Sequence, residues 1–403
     1  MLLERLAALV ETPSVTGDEG PIVDLITGWL QESTADTVDR WTDRMEDLAR
    51  DPDYPGREVE RDEVPVVAAA ARGSRPGPTV VLTGHVDTVG IGEPSHWTRP
   101  PFAATVEGDL LHGRGACDMK AGLAAALEAF LSFADGDRDF RGEVRFVAVP
   151  GEEDGGTGTL AAIRRGWSGD MVLLAEPTAG DIVVAHGGAL TFTIEVEGRA
   201  AHGATPREGV SALDAFLPAY EAIRRMEAEV NAAETHPLMR RLGTPYPTTI
   251  GVIRGGEWAS NVMASLRVEA RVGVALGETI AEAERRFAGG LAGAAGDDPW
   301  LRDHPPRVTR TGAAFGSSSI DPDDPLVGAV AAAVEGVTAR RPDLVAVPYG
   351  CDMALWSRVG GARCLVYGPG DIRRAHAADE SVSITEANTA AAVLRRAVAA
   401  LTA

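Results

Sequence analysis

Five short segments of this 403-residue chain hold residue types that can bind cations or move protons. The first is Gly84-His85-Val86-Asp87, directly after the strand-like residues 79–82. Strand ends in parallel α/β sheets line the functional crevice, and an imidazole there with an acid two residues on suits a metal ligand oriented by a carboxylate. The second, GRGACDMKAG at 113–122, places Asp118 in a loop whose glycines permit sharp turns. A carboxylate so placed can bridge two cations through its two oxygens. The third, Gly151-Glu152-Glu153-Asp154, sets adjacent acids after the valine-rich residues 144–149. Adjacent carboxylates repel, so one takes up a proton or both face positive charge. With one of them on a cation, its neighbour becomes a natural general base. Glu176 follows the apolar run 171–174, and His376 follows Gly368-Pro369-Gly370.

Taken singly, each segment has a plain explanation. His85 and Asp87 can satisfy a turn, Asp118 can cap a helix, and the acidic run can be a solvated loop. Taken together, His85, Asp118, Glu153, Glu176 and His376 give two histidines and three carboxylates, which match two borderline divalent cations sharing one bridging acid. Imidazole with carboxylate favours zinc, cobalt or manganese over magnesium. Neither GxxxxGK[ST] nor GxGxxG is present at 113–122, so a phosphate loop is weakly supported. The three cysteines, Cys117, Cys351 and Cys364, make no disulfide framework, and no local Cys–His signature marks a thiol hydrolase.

The elements that must position these residues follow from periodicity. Apolar residues recur at helical spacing over 2–10 and 22–30, and short valine-rich runs at 64–67, 80–82, 144–149 and 171–174 read as strands. Pro65 demotes the first run to an edge or a strand start. Helical segments such as 121–130 separate the runs, which predicts an α/β catalytic domain with a mainly parallel sheet and helices on both faces. Residues 45–63 are dense in Asp, Glu, Arg and Pro and read as a solvated excursion or a short helix plus loop. The pattern changes at Gly187-Gly188 and returns near 313. The expectation is a catalytic domain of 1–186 and 313–403, interrupted by a smaller α+β domain over 187–312.

Composition bounds the partners. With 38 Lys+Arg against 59 Asp+Glu the net charge is −21, which argues against nucleic acid and anionic membranes. No apolar run approaches the roughly 18 residues of a membrane span. The first residues, MLLERLAALVETPS, lack a basic stretch and do not read as a signal peptide, so a cytoplasmic protein is expected.

The ordered motifs GHVDTV, GRGACDMKAG, GEEDGGTGT, AEPT and AHAADES resemble the M20 family of metallopeptidases and amidohydrolases over nearly the whole chain. GVIRGGEW at 251–258 and the excursion at 45–63 look closest to the acetylornithine deacetylase and succinyl-diaminopimelate desuccinylase branch. The resemblance implies a two-zinc site: His85, Asp118 and Glu176 on one ion, Asp118, Glu153 and His376 on the other. It implies that Asp87 orients His85, that Glu152 is the general base, and that the Asp118–Met119 peptide is cis. The inserted domain would be a lid and the contact of a homodimer, His202 would reach the neighbouring subunit's site, and Asn261 would touch substrate. Two departures bear on the substrate. Ala354 stands where many relatives carry an arginine two positions after the counterpart of Asp352, so a substrate carboxylate would fall to Arg373 or Arg374, with Gly368 beside them. Met263 replaces a frequent proline after the Asn-Val pair. The implied activity is removal of an N-acyl group, acetyl or formyl, from an amino acid or small amine. The alternatives are a dipeptidase or carboxypeptidase on the same scaffold, or a catalytically inactive small-molecule-binding protein.

Overall fold

The computed structural model describes residues 1–403, the side chain of Asp297 excepted. Its strands are β1 Thr37–Arg44, β2 Glu63–Arg72, β3 Arg75–His85, β4 Thr105–Glu107, β5 Leu110–His112, β6 Arg141–Val149, β7 Met171–Leu174 and β8 Ile182–His186. Further along the chain come β9 Gly188–Glu197, β10 Thr249–Gly255, β11 Ser265–Val274, β12 Arg307–Phe315, β13 Ser318–Ser319, β14 Leu344–Val347, β15 Arg363–Val366 and β16 Ser381–Ser383.

The chain divides into two compact units, residues 1–185, 319–345 and 351–403, and residues 186–318 with 346–350. The second therefore runs past the expected limit of 312. The reason is β12, which pairs with β9 and keeps the chain in the second unit's sheet through Phe315.

A nine-stranded sheet in the order β1-β2-β6-β3-β7-β15-β8-β13, with β14 paired to β8, organises the first unit. Its middle, β6-β3-β7-β15, is parallel. Val80, Val81, Leu82, Val172, Leu173 and Leu174 are all buried, the continuous apolar run expected of a sheet covered on both faces. Helices Ala121–Ala134 and Ile384–Leu401 pack on each other and on β3. β2 is not an edge: β1 lies outside it, and both its pairings are antiparallel. Pro65 sits at its start, before the stretch Val67–Arg72 that pairs with β6, so its missing N–H breaks no ladder bond there.

Parallel order has one consequence for function. β3, β6, β7 and β15 all deliver their carboxyl ends to the same edge, and those ends lead into His85, Glu152 and Glu153, Glu176, and Gly368.

The second unit is a four-stranded antiparallel sheet, β10-β11-β9-β12, with a core that includes Phe192, Phe216, Ile223, Val268 and Phe287. The Phe192 and Phe287 rings lie 4.6 Å apart. Thr279 and Glu282 form a reciprocal capping box that starts helix Ile280–Asp297. β10 is an edge strand with exposed Ile253. Among the described residues no helix is long and apolar enough to cross a membrane.

Candidate metal centre

His85 closes β3 and is 1 % exposed. Its Nδ1 lies 2.9 Å from the backbone carbonyl of Asp87, which leaves Nε2 facing Asp118 Oδ1 at 3.2 Å and Glu176 Oε2 at 3.7 Å. Asp87 thus orients the ring through its main chain. The expected carboxylate contact is longer, 3.6 Å, and the carboxylate is occupied elsewhere. It accepts the N–H of Glu152 at 3.1 Å and of Glu153 at 3.2 Å, together with the Thr16 hydroxyl at 3.1 Å. Asp87 therefore holds both His85 and the acidic loop.

Asp118 follows Gly115, whose φ of +78° no β-carbon-bearing residue adopts readily, and the Asp118–Met119 peptide is cis. Across from His85, Asp118 Oδ2 lies 3.4 Å from His376 Nε2, which is also 3.0 Å from Glu153 Oε1. Two groups result, His85 with Asp118 and Glu176, and Asp118 with Glu153 and His376, and within each the donor atoms lie within 4.8 Å of one another. Asp118 belongs to both.

Burial decides what these acids can do. Glu152 is pushed well above the usual carboxylate range by burial and by the charge of Glu176, and burial takes Glu176 itself up to about 7. Glu153 is likewise raised by burial, while hydrogen bonds from His376 and His85 outweigh burial to hold Asp118 low. His376 is carried up to about 10 by its hydrogen bonds to Asp118 and Glu153. Asp352, buried beside them, is raised to about 6 by burial and accepts the Thr159 hydroxyl at 2.5 Å. So many carboxylates against two imidazoles must take up protons or face further positive charge, and Glu176 Oε1 is buried without a hydrogen-bond partner. Imidazole and carboxylate donors arranged as two triads about a shared acid fit a pair of divalent cations.

A residue missed in the sequence holds this arrangement together. Glu380 is 2 % exposed, and four donors converge on its carboxylate: Arg114 Nη1 at 2.7 Å and the N–H groups of Gly115 (3.0 Å), Cys117 (2.9 Å) and Asp118 (3.0 Å). Arg114 also donates to the carbonyl of Ala377 at 3.2 Å and stacks over Trp97. The clasp joins the loop of Asp118 to the segment carrying His376, whose φ is +60°. None of the four donors can accept a proton, so only a carboxylate suits the position. Glu380→Gln turns an N–H₂ group toward an N–H or guanidinium and should cost about 3 kcal/mol, read from denaturant midpoints of the metal-free protein. An unchanged midpoint would show that Glu380 does not act as a clasp.

The remaining candidates are spread more widely. Gly368 lies against Glu176: a β-carbon there would meet the carbonyls of Ala175 and Glu176, and its N–H donates to the Thr178 hydroxyl at 3.2 Å. Arg373 is ion-paired with Asp371, and Arg374 donates to the Ser381 hydroxyl at 2.9 Å. His202 and Asn261 belong to the second unit, where an isolated antiparallel bridge brings them together. His202 is exposed, its Nδ1 accepting the N–H of Ala204 at 3.1 Å, and Asn261 lines a cavity of about 640 Å³ with Trp258 and Met263.

Comparison with known proteins adds to this geometry. The sequence profile described as Peptidase family M20/M25/M40 matches residues 81–400. The chain is 27 % identical over 396 residues to an N-formyl-4-amino-5-aminomethyl-2-methylpyrimidine deformylase of Bacillus subtilis, covering 93 % of this chain and 87 % of the relative. It is 34 % identical over 160 residues to a probable succinyl-diaminopimelate desuccinylase of Staphylococcus aureus, 39 % of each chain. In fold it resembles an M20 family metallo-carboxypeptidase from Sulfolobus solfataricus, with a TM-score of 0.74, 17 % identity and 99 % of each chain covered.

Proposed function

Because the chain belongs to peptidase family M20/M25/M40, whose members are hydrolases of amide and peptide bonds, we propose that it removes an N-formyl or N-acetyl group from a small amine. The observation that carries this reading is the pair of triads sharing Asp118, with the buried Glu152 beside them in neither. We assign one divalent ion to His85, Asp118 and Glu176 and a second to Asp118, Glu153 and His376, with zinc preferred and cobalt or manganese able to replace it. When bound, the two ions supply Lewis acidity that lowers the pKa of water and polarises the scissile carbonyl.

The chain's own residues do the rest. Glu152 takes the proton of the attacking water on a carboxylate oxygen and returns it to the leaving nitrogen as the carbon–nitrogen bond breaks. Asp87, through the N–H groups of Glu152 and Glu153, keeps base and ligand in one loop. His202 donates to the oxyanion from the second unit of a partner subunit, and Asn261 contacts the substrate amide. The exposed Ile253 and Trp258 on and after the edge strand β10, with Leu213, Leu217 and Tyr220 along one helix, support dimerisation through that unit. Arg373 and Arg374 are tied to Asp371 and Ser381, so a substrate carboxylate would have to displace those partners. That favours an amine without a carboxylate, in keeping with the aminopyrimidine named for the Bacillus relative. Three buried cysteines, none in a disulfide, suit a reducing cytoplasm.

His202→Ala is expected to lower kcat by about 10²-fold with KM changed less than threefold, measured on the best substrate found. A raised KM with kcat unchanged would make His202 a binding group instead. The substrate class itself is tested by profiling the zinc-loaded enzyme against N-formyl, N-acetyl and N-succinyl amines beside dipeptides. Turnover of the formyl or acetyl amines is expected. Turnover of dipeptides alone would replace this reading by a peptidase.

A further inference from the structure

The excursion at 45–63 ends in a residue that its composition hides. β1 and β2 pair as a hairpin up to Arg44 opposite Glu63, and the N–H of Met45 donates to the Asp62 carbonyl at 2.9 Å. The loop so closed, 45 to 62, has 18 residues. Hairpin connections rarely exceed about five residues, and long ordered loops generally serve a function.

Arg61, next to the loop's end, carries its guanidinium inward, with the side chain 1 % exposed. Nη1 lies 2.9 Å from Glu19 Oε1 and Nη2 lies 3.3 Å from Asp154 Oδ2, both acids fully buried as well. Asp154 Oδ1 accepts the N–H groups of Glu58 and, at 2.9 Å, Val59, so the same loop hydrogen-bonds one oxygen of the carboxylate and sets a guanidinium in ion-pair range of the other. Asp154 is the third acid of the run Glu152-Glu153-Asp154. Glu153 faces His376, whereas Asp154 faces Arg61. At the root of the run, a β-carbon on Gly151 would press on the Arg61 guanidinium.

Charge sharpens the point. Behind the acidic loop lie Glu19, Asp154 and Asp87, and Arg61 is the guanidinium paired with two of them. Removing one partner of a buried pair leaves an uncompensated charge that the surrounding backbone must relax to hydrate. Here that backbone is the loop bearing Glu152 and Glu153.

We infer that Arg61 is a positioning residue, delivered by the 45–62 loop, that holds Asp154 and thereby sets Glu152 and Glu153 in register with Asp118 and His376. The inference rests on the assignment of Glu153 to the second ion proposed above. Arg61 acts on one of the two triads. Its loss weakens the ion at Asp118, Glu153 and His376 and leaves that at His85, Asp118 and Glu176 in place.

Two variants and two readouts test it. Arg61→Met removes the charge, and Arg61→Lys retains it while reaching one acid. Hydrogen exchange of the chelator-treated protein reports the loop without any metal. Amides at 151–156 should exchange at least tenfold faster in Arg61→Met, with helix Ala121–Ala134 unchanged and Arg61→Lys intermediate. Zinc titration should then show one of the two affinities reduced at least tenfold and the other altered less than threefold. If Arg61→Met does not fold, the triple variant Glu19→Gln, Arg61→Met, Asp154→Asn carries no unpaired charge at the cluster, and a smaller loosening, from loss of the guanidinium contacts alone, is expected from it. Wild-type exchange at 151–156 in either folded variant, or equal weakening of both ions, would overturn the role given to Arg61. A wild-type protein that binds no second ion, in which Arg61→Met still loosens the loop, would instead overturn the two-ion reading and leave Arg61 as the loop's anchor.

Discussion

Replacing Glu152 by glutamine is expected to lower kcat about 10³-fold, some 4 kcal/mol of transition-state stabilisation, while both ions stay bound. Glutamine keeps the size of the side chain and one carbonyl oxygen but cannot take up a proton. Glu152 lies outside both ligand triads, so metal content should not follow the rate. Its backbone N–H is held by Asp87, which fixes where the side chain starts whatever its terminal group. Burial and the Glu176 charge raise its proton affinity well above that of an ordinary carboxylate, as a base that must hold a proton between two steps requires. Steady-state kinetics paired with elemental analysis of the same preparation separates the outcomes. A variant with near wild-type rate would take the base role from Glu152. A variant that has lost an ion would make Glu152 a ligand.

Asp118→Asn should be more damaging still, emptying both subsites. Asp118 Oδ1 faces His85 and Oδ2 faces His376, so one substitution removes a charged donor from each triad. The loop itself should survive, because Glu380 holds the Asp118 backbone N–H rather than its side chain. Metal content is expected to fall well below one ion per chain, with activity down by at least about 10³-fold. By contrast, Glu176→Gln should affect only the ion beside His85, and His376→Ala only the other. If Asp118→Asn retained one tightly held ion, the acid would not be shared, and the two triads would have to be independent.

Much of the fold was legible because valine-rich runs and alanine-rich helices have distinct periods, and the site was legible because it hangs from the ends of those runs. Residues 171–174 and 144–149 name their own strands, and Glu176 and Glu153 follow as strand-end acids. β1 was not legible: of its eight residues only Trp41 is buried, so no apolar alternation marks it. The two- and three-residue strands β13, β4, β5 and β16 are too short to carry a period at all. Asp87 shows a different limit. Its spacing from His85 marked it as an orienting residue, but spacing does not distinguish the carbonyl that does the orienting from the carboxylate that holds Glu152 and Glu153. Glu380 and Arg61 were hidden for a common reason. Each stands among charged neighbours and reads as surface, and its burial comes from contacts with segments far away in sequence. A charged residue at the closing end of a long polar loop is the signal that would have pointed to Arg61.

Every role proposed for these residues depends on one site for two cations built around a shared carboxylate. Titration of the chelator-treated protein with zinc, followed by calorimetry and by native mass spectrometry, tests it most directly. Two ions per chain are expected in wild type and fewer than one in Asp118→Asn. A single ion per chain in wild type, or two ions retained by Asp118→Asn, would contradict it.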